Sequence, residues 1–502
     1  MYRTRPLRSA ARCRRGNRPG RCRPRGRARC ARSAEAPVPA GRRWHDPRHH
    51  PKGRATAGSC APCHTRAADL TRVSHRLICP DNFGCEDHPL ESPFASPRER
   101  GPLSDLRVLE MGQLLAGPFC GQLLADFGAE VIKIEQPGTG DPMREWGREK
   151  PHGLSLWWPV IARNKKSVEI NAREPEGQAI IRDLVAKSDV LLENFRPGTM
   201  EKWGLGYDEL ARLNPGLVMI RVSGYGQTGP YAKRAGYGSI GEAMGGLRYV
   251  TGDPDHPPSR AGISIGDTLA ATFACLGGLV ALHARERSGR GQVVDSAIYE
   301  AVLAVMESLV TEFDKGGYIR ERTGAILPNV APSNIYPTRE GGYVLIAANQ
   351  DTVFARLAEA MGRAELATDP RYATHTARGK HQTELDALIA EWSSKLGREE
   401  LGRILDTHGV PRGDIYRAPE MLQDAHFKAR DAIVRVMHPM LGELKMQNVV
   451  PKLSETPGRV SAPGPALGQH NEEIFSGLLG LPSPRLAELA ARGVIGARPL
   501  AA

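Results

Sequence analysis

Cysteine is scarce in most of this 502-residue chain. Seven of its nine cysteines lie in the first hundred residues, which leaves Cys120 and Cys275 for the remainder. Two cysteines cannot form the dense disulfide framework that holds small secreted domains together. We therefore expect the body of the chain to fold around an ordinary hydrophobic core in a reducing compartment, and we predict a cytoplasmic protein.

Acidic and aliphatic residues are scarce in residues 1–100. This segment has 23 Lys and Arg against 8 Asp and Glu, so it carries the positive charge of the chain. It has too little apolar surface to offset the entropy lost on ordering, so we predict a disordered basic extension over residues 1–100. A nucleic-acid-binding arm and a transit peptide to an organelle matrix are alternative interpretations. We favour a start site assigned too far upstream and expect no nucleic-acid partner.

An apolar signal segment is also missing from this extension. Residues 60–64, CAPCH, match the C-x-x-C-H pattern of haem attachment, whose chemistry requires an exported chain. Without an export signal, we expect neither haem attachment nor a membrane partner.

Short apolar runs alternate with segments of helical period from residue 102 onward. Helices are predicted at 117–128, 175–188 and 207–213, and strands at 106–111, 129–135, 167–172, 189–195 and 217–224. This alternation builds a parallel sheet with helices on both faces, so the predicted fold class is α/β with a Rossmann-like parallel sheet. Ligands of such folds bind beyond the carboxyl ends of the strands.

Residues 224–229, GYGQTG, match the Gly-x-Gly-x-x-Gly turn of dinucleotide-binding enzymes. That turn requires a helix opening on its last glycine, but residues 230–236 show no apolar period of 3.6. Asp253 lies at a suitable distance for the ribose, yet within a turn sequence. We therefore interpret these glycines as a tight passage from strand to loop and disfavour an oxidoreductase.

A series of ordered sequence blocks runs through the same region. The blocks are Ala116-Gly117-Pro118, GAEVIKIE at 128–135 with Gly140-Asp141 and Arg144 behind it, NKKS at 164–167, ENFRPG at 193–198, GQTGPY at 226–231, Gly266-Asp267, SGRGQ at 288–292 and LGQHN at 467–471. In this order they resemble the family III CoA-transferases, a group that includes formyl-CoA:oxalate, carnitine and succinyl-CoA-dependent dicarboxylate transferases. The resemblance covers residues 103 to about 496.

The resemblance implies an enzyme that moves CoA from an acyl-CoA donor to a carboxylic acid acceptor. Succinyl-CoA is the donor we favour, with a dicarboxylate acceptor such as succinate, malate or glutarate. Asp267 is implied as the nucleophile that forms an aspartyl-CoA thioester intermediate. The sequence alone would favour Asp267 as the N-cap of the apolar helix that follows it. Transfer conserves the thioester energy, so no metal and no permanently bound cofactor is expected, and the CoA thioester is a substrate.

The resemblance also implies which residues surround the substrates. Arg144 and Tyr237 are implied on the side of the substrate acid. Implied for binding CoA are Ala116, Lys166, Asn194, Phe195, Lys202 and Arg234. Taken singly, a lysine or arginine of this kind is as often a solvated surface charge.

The chain departs from the family pattern at several positions. Leu115 stands where many members have glutamine, and Gln136 stands where many have a basic residue. The glycine-run loop of formyl-CoA transferases has no counterpart in residues 324–342, which puts oxalate and formyl-CoA in doubt. The alternative function is that of an α-methylacyl-CoA racemase, but residues 235–238 read AGYG where those enzymes have their histidine. A CoA-binding protein without activity is a further alternative.

The chain is predicted to contain a second, smaller α+β domain. A strand is predicted at 343–350, followed by helices at 351–362, 381–396 and 398–408. The predicted organisation is a large CoA-binding domain, first part, at 101–315, a small domain at 316–424 and a return segment at 425–502 that completes the large domain. By resemblance, we expect an interlocked homodimer.

Overall fold

The structure is a computed structural model that describes residues 101–497. The predictions made for residues 1–100, including disorder and the CAPCH segment, lie outside the described residues. The described strands are β1 Arg107–Glu110, β2 Glu130–Glu135, β3 Lys165–Glu169, β4 Val190–Glu193, β5 Val218–Ser223, β6 Val293–Ala297, β7 Ser333–Pro337, β8 Tyr343–Ala347, β9 Arg412–Asp414, β10 Ile433–His438 and β11 Gly442–Gln447.

Helices separate most of these strands. The α-helices are α1 Ala116–Asp126, α2 Trp158–Ile161, α3 Pro175–Val185, α4 Thr199–Lys202, α5 Tyr207–Leu213, α6 Gly238–Met244, α7 Leu247–Val250, α8 Ile265–Ser288, α9 Ile298–Leu303, α10 Leu309–Gly316, α11 Asp351–Ala360, α12 His375–Lys380, α13 Gln382–Ser393, α14 Arg398–Thr407, α15 Ala418–Gln423, α16 Ala425–Ala429 and α17 Ser483–Ala491. Short 3₁₀ segments lie at Pro142–Glu145, Pro151–Gly153 and Ala364–Ala367, and a π-helical segment at Glu473–Leu478.

The central sheet has six parallel strands in the order β3-β2-β1-β4-β5-β6. Val108 in β1 pairs with Val131 on one side and with Val190 on the other. The strand order reverses direction between β1 and β4, which is where open α/β sheets bind their ligands. The predicted α/β class with a Rossmann-like parallel sheet is confirmed.

Alternating side chains of this sheet supply two hydrophobic cores, one on each face. Val108 and its neighbours in the sheet face α1 and α8, whereas Leu109 and Ile132 face α3 and the C-terminal segment. Strands buried on both faces are rich in Val, Ile and Leu, which is why most of these strands stood out in the sequence. Full burial of a Val, Leu or Ile side chain stabilises the folded state by about 1.5–3 kcal/mol.

Helix α8 is long and apolar, and it ends immediately before β6. An 18-residue window of this 24-residue helix has a mean hydropathy of 1.7, so by length and composition alone the helix could cross a membrane. Ala270, Ala274 and Gly278 form a face of small residues against the sheet. A Cβ atom on Gly278 would lie 2.5 Å from Ile220 Cδ1, so the small residue allows the helix axis to approach β5 closely. One face of α8 is thus buried against the sheet.

A third core lies in residues 331–410. It joins the antiparallel strands β7 and β8 to helices α11, α13 and α14, and β9 pairs with β8 at its edge. The chain then forms the hairpin β10–β11 and returns to the large sheet, where Ile495 makes a bridge to Ile170 and Phe475 is buried. The proposed domain limits at 315 and 424 remain predictions.

Candidate active site

A cavity of about 710 Å³ opens at the carboxyl ends of β1, β4 and β5, at the point where the strand order reverses. Loops after these strands form one flank of the cavity. Helices α6 and α7 and the segment leading into α8 form the other. The lining residues are Gln113, Leu114, Leu115, Ala116, Trp146, Asn194, Phe195, Arg196, Val222, Ser223, Gly224, Gly236, Tyr237, Gly238, Ser239, Glu242, Arg248, Arg260, Ser264, Asp267 and Ile298.

Asp267 lies in the first turn of α8, with its carboxylate in this cavity. It is the third residue of the helix, and Ser264 occupies the N-cap position. The interpretation of Asp267 as an N-cap was therefore wrong: the N-cap lies three residues earlier, at Ser264. Capping does not explain why an acidic residue is held in this cavity.

The surroundings of Asp267 favour its neutral form. Burial, and then the negative charge of Glu242, raise the pKa of Asp267 to about 6, while Arg260 opposes the shift. Glu242 is almost fully buried, and its carboxylate is paired with Arg248 at 2.7 Å. At neutral pH the Asp267 carboxylate is ionised but poorly solvated, which is a suitable state for a nucleophile.

Gly238 provides the space that the Asp267 side chain occupies. A Cβ atom added to Gly238 would lie 2.1 Å from Asp267 Oδ2, well inside van der Waals contact. Gly238 is the first residue of α6 and is buried. Any larger residue at this position would force the carboxylate to rotate away.

A buried ion cluster lies beneath the turn that lines the cavity after β1. Glu110 is fully buried between two lysines, with Lys133 Nζ at 3.2 Å and Lys165 Nζ at 2.8 Å. Lys133 also donates to the Gly112 carbonyl, and Lys165 donates to the Pro118 carbonyl at 2.6 Å. The two lysines therefore hold both ends of the turn that carries Ala116 to the cavity.

Asn194 fixes the same turn from the neighbouring strand. Its Oδ1 accepts a hydrogen bond from the Gln113 amide at 2.7 Å, and its Nδ2 donates to the Gln113 carbonyl at 2.9 Å. Leu114 has a φ of 64°, a left-handed conformation that is strained for leucine. Its amide donates to Asp141 Oδ1 at 3.0 Å. Asn194 thus makes backbone contacts that hold the cavity wall.

Next to Asn194, Phe195 packs edge-to-face on Trp203.

The structure brings five of the predicted site residues to this cavity: Ala116, Asn194, Phe195, Tyr237 and Asp267. The four predicted basic residues do not line it. Lys166 binds Glu130 and Glu473, each at 2.6 Å, and Lys202 ends α4 on the surface.

Arg234 and Arg144 also lie outside the cavity lining. Arg234 stacks on the Tyr231 ring at 3.6 Å. Arg144 binds Glu135 through Nη2 and Nε, each at 2.8 Å, and stacks on Trp158. Arg144 thus already has a buried carboxylate partner. The roles of the four basic residues in binding remain predictions.

Sequence reasoning missed the charged residues on the second flank of the cavity. Glu242, Arg248 and Arg260 lie in segments without a recognised block, and only the chain path brings them beside Asp267. The described residues contain no group of three or more His, Cys, Asp or Glu that could hold a metal ion. Histidine is absent from the cavity lining within residues 101–497.

Comparison with known proteins identifies the class. Residues 103–471 match the profile of CoA-transferase family III. The chain belongs to this family, which confirms the resemblance, and it is a CoA-transferase that moves CoA between an acyl-CoA and an acid.

Individual relatives are similar over the same region. The chain is 66% identical over 402 residues to the succinyl-CoA–D-citramalate CoA-transferase of Chloroflexus aurantiacus, covering 80% of this chain and 100% of that one. It is 42% identical to the alpha subunit of a succinyl-CoA–L-malate CoA-transferase from the same organism, over 81% of this chain and 96% of the relative. A solved CAIB/BAIF family protein from Brucella suis superposes with a TM-score of 0.68 at 33% identity, covering 76% of this chain and 100% of that chain.

Proposed function

We propose that this enzyme transfers CoA from succinyl-CoA to a hydroxydicarboxylic acid of the D-citramalate type, with Asp267 as the nucleophile. The observation that carries the proposal is the carboxylate of Asp267, partly buried in a cavity at the reversal point of the sheet. The substrate pair is supported by the 66% identity to a relative of that named activity over the whole of the relative's length.

The proposed reaction proceeds through two kinds of activated aspartate. A carboxylate oxygen of Asp267 attacks the thioester carbon of succinyl-CoA, and the C–S bond breaks to give CoA thiolate and a mixed anhydride. The thiolate then attacks the carbonyl carbon of Asp267, and the anhydride C–O bond breaks to release succinate. Asp267 is left as an aspartyl-CoA thioester.

The acceptor reverses these steps. Its carboxylate attacks the thioester carbon of Asp267, expels CoA thiolate and forms a second mixed anhydride. The thiolate attacks the acceptor's carbonyl carbon, which gives the new acyl-CoA and restores the Asp267 carboxylate. CoA thus passes from one acid to the other, and neither water nor ATP is consumed. A raised pKa of Asp267 makes the carboxylate more basic than an exposed aspartate, which favours its attack at neutral pH.

The experiment that tests this function is peptide mass spectrometry after incubation with succinyl-CoA, with and without hydroxylamine. We expect a CoA-sized, hydroxylamine-sensitive adduct on the Asp267 peptide, absent in Asp267→Ala. Asp183→Ala, an exposed position on α3, is the matched control and should keep the adduct. No adduct, together with solvent deuterium entering the α-carbon of a 2-methylacyl-CoA, would instead support the racemase.

We also propose that the enzyme is a cytoplasmic homodimer. Large apolar side chains are exposed on α8 and α10, including Leu276, Val280 and Phe313. Leu276 and Val280 are four residues apart and therefore share one face of α8, and exposed apolar side chains grouped in this way favour a protein partner. A second copy is preferred, although one relative is named as an alpha subunit. Light scattering of the enzyme purified alone should give twice the chain mass, whereas a monomer would contradict the homodimer.

A further inference from the structure

Positively charged side chains line both flanks of the cavity. Three arginines line the cavity described above: Arg196, Arg248 and Arg260. Arg196 follows β4 beside Asn194 and Phe195, on the flank where CoA binding is predicted. Arg248 and Arg260 lie on the opposite flank, beside Asp267.

The two arginines of this flank differ in their partners. Arg248 is paired with the buried carboxylate of Glu242 at 2.7 Å, so its charge is neutralised within the protein. Arg260 is exposed, and no carboxylate forms an ion pair with it among residues 101–497. Its Nη2 donates a hydrogen bond to Ser264 Oγ at 3.1 Å, which orients the guanidinium toward the start of α8.

The positive charge of Arg260 interacts electrostatically with the Asp267 carboxylate. It opposes the rise in the pKa of Asp267, so the guanidinium and the carboxylate share one electrostatic environment. A planar guanidinium offers paired donors that match a carboxylate in bidentate geometry. A free guanidinium in the same cavity as the nucleophile is therefore placed to bind a second carboxylate of the acid whose first carboxyl group reacts.

We propose that Arg260 binds the distal carboxylate of the dicarboxylic acid, both in the succinyl-CoA donor and in the acceptor, and so selects dicarboxylates over monocarboxylates. The proposal rests on the proposed function, since it needs Asp267 to be the acylated group. One guanidinium serves both acids in turn because donor and acceptor occupy the site at different stages. Succinate must leave before the acceptor can take its place.

The test compares succinyl-CoA with butyryl-CoA, which has the same chain length but ends in a methyl group. The rate of adduct formation on Asp267 is measured by quenched mass spectrometry at pH 8, where Asp267 is ionised. We expect Arg260→Met to slow loading from succinyl-CoA roughly tenfold to hundredfold, the loss of a charge-assisted hydrogen bond, and to leave loading from butyryl-CoA unchanged. Arg260→Lys keeps the charge and should recover part of the preference.

The control is Arg403→Met, which removes an exposed arginine from α14, outside the cavity. Its preference for succinyl-CoA should equal that of the unaltered enzyme. An unchanged ratio of the two rates in Arg260→Met would overturn the proposal, whether both rates stay the same or both fall equally. Either result would leave the aspartyl mechanism intact. Absence of any Asp267 adduct in the unaltered enzyme would instead overturn the mechanism, and the role of Arg260 with it.

Discussion

The carboxylate of Asp267 is held at a cost in stability that can be measured. Its pKa is about 6 in the folded enzyme against an ordinary value of 3.8. Each unit of difference corresponds to about 1.4 kcal/mol, so ionisation of Asp267 destabilises the folded state by up to about 3 kcal/mol above pH 6. Asp267→Asn removes that charge with little change in shape. We therefore expect the variant to be more stable than the unaltered enzyme at pH 8.

The pH dependence distinguishes this cause from others. A carboxyl group whose pKa is raised on folding does not change the free energy of unfolding when it is protonated in both the folded and the unfolded state. The difference between Asp267→Asn and the unaltered enzyme should therefore be small below pH 4, grow between pH 4 and pH 6, and be constant above pH 6.

The assay is denaturant unfolding of both proteins across this pH range. Asp183→Asn, an exposed substitution on α3, should show no such profile. An Asp267→Asn variant that is less stable at every pH would refute the reasoning, because it would mean that the carboxylate makes a net stabilising contact.

Further substitutions test the surroundings of this group. Glu242→Gln removes the negative charge beside Asp267, so the pKa seen in the pH profile of kcat/KM should move below about 6. Gly238→Ala leaves the fold intact but displaces the Asp267 carboxylate, and kcat should fall roughly 100-fold, as steady-state kinetics would measure. Glu110→Gln leaves the buried Lys165 without its carboxylate partner, whereas Lys133 keeps Asp141, and the variant should have a free energy of unfolding about 3–5 kcal/mol lower in denaturant titrations.

Matched controls exist for each of these substitutions. Gly413→Ala places a Cβ atom where nothing lies within 4 Å, so activity should be unchanged. Glu399→Gln alters an exposed residue of α14 and should change neither the pH profile nor the stability. A Gly238→Ala variant with full activity would show that Asp267 can act from another rotamer. An unshifted profile in Glu242→Gln would remove Glu242 as a cause of the raised pKa.

The sequence was most informative where strands are buried on both faces. The runs at 129–135 and 217–224 became β2 and β5, because short segments rich in Val and Ile favour strands. GYGQTG was correctly interpreted as a loop: β5 ends at Ser223, and the next helix, α6, begins only at Gly238. Local sequence was enough for these predictions, since the structures concerned are formed by local backbone and burial.

Contacts between distant segments were beyond local reasoning. Arg144 pairs with Glu135, and its predicted contact with the substrate acid remains a prediction. Arg260, which no sequence block indicated, lines the same cavity as Asp267. The start of α8 was misplaced because Asp267 and Ser264 are both good N-cap residues, and only the helix geometry distinguishes them. The position of a charge relative to a cavity depends on the path of the chain, which periodicity does not reveal.

The C-terminal return segment determines the order in which the molecule can fold during synthesis. Ile474, Phe475 and Leu489 cover the face of the sheet that Leu109 and Ile132 present. The ribosome makes these covering residues last. The first half of the large domain therefore emerges from the ribosome with one apolar face of its sheet open to solvent. The core in residues 331–410 needs nothing made later and can close first. The core in residues 331–410 can therefore form before the large domain is complete. Until the C-terminal segment has been made, the open face of the sheet is accessible to chaperones.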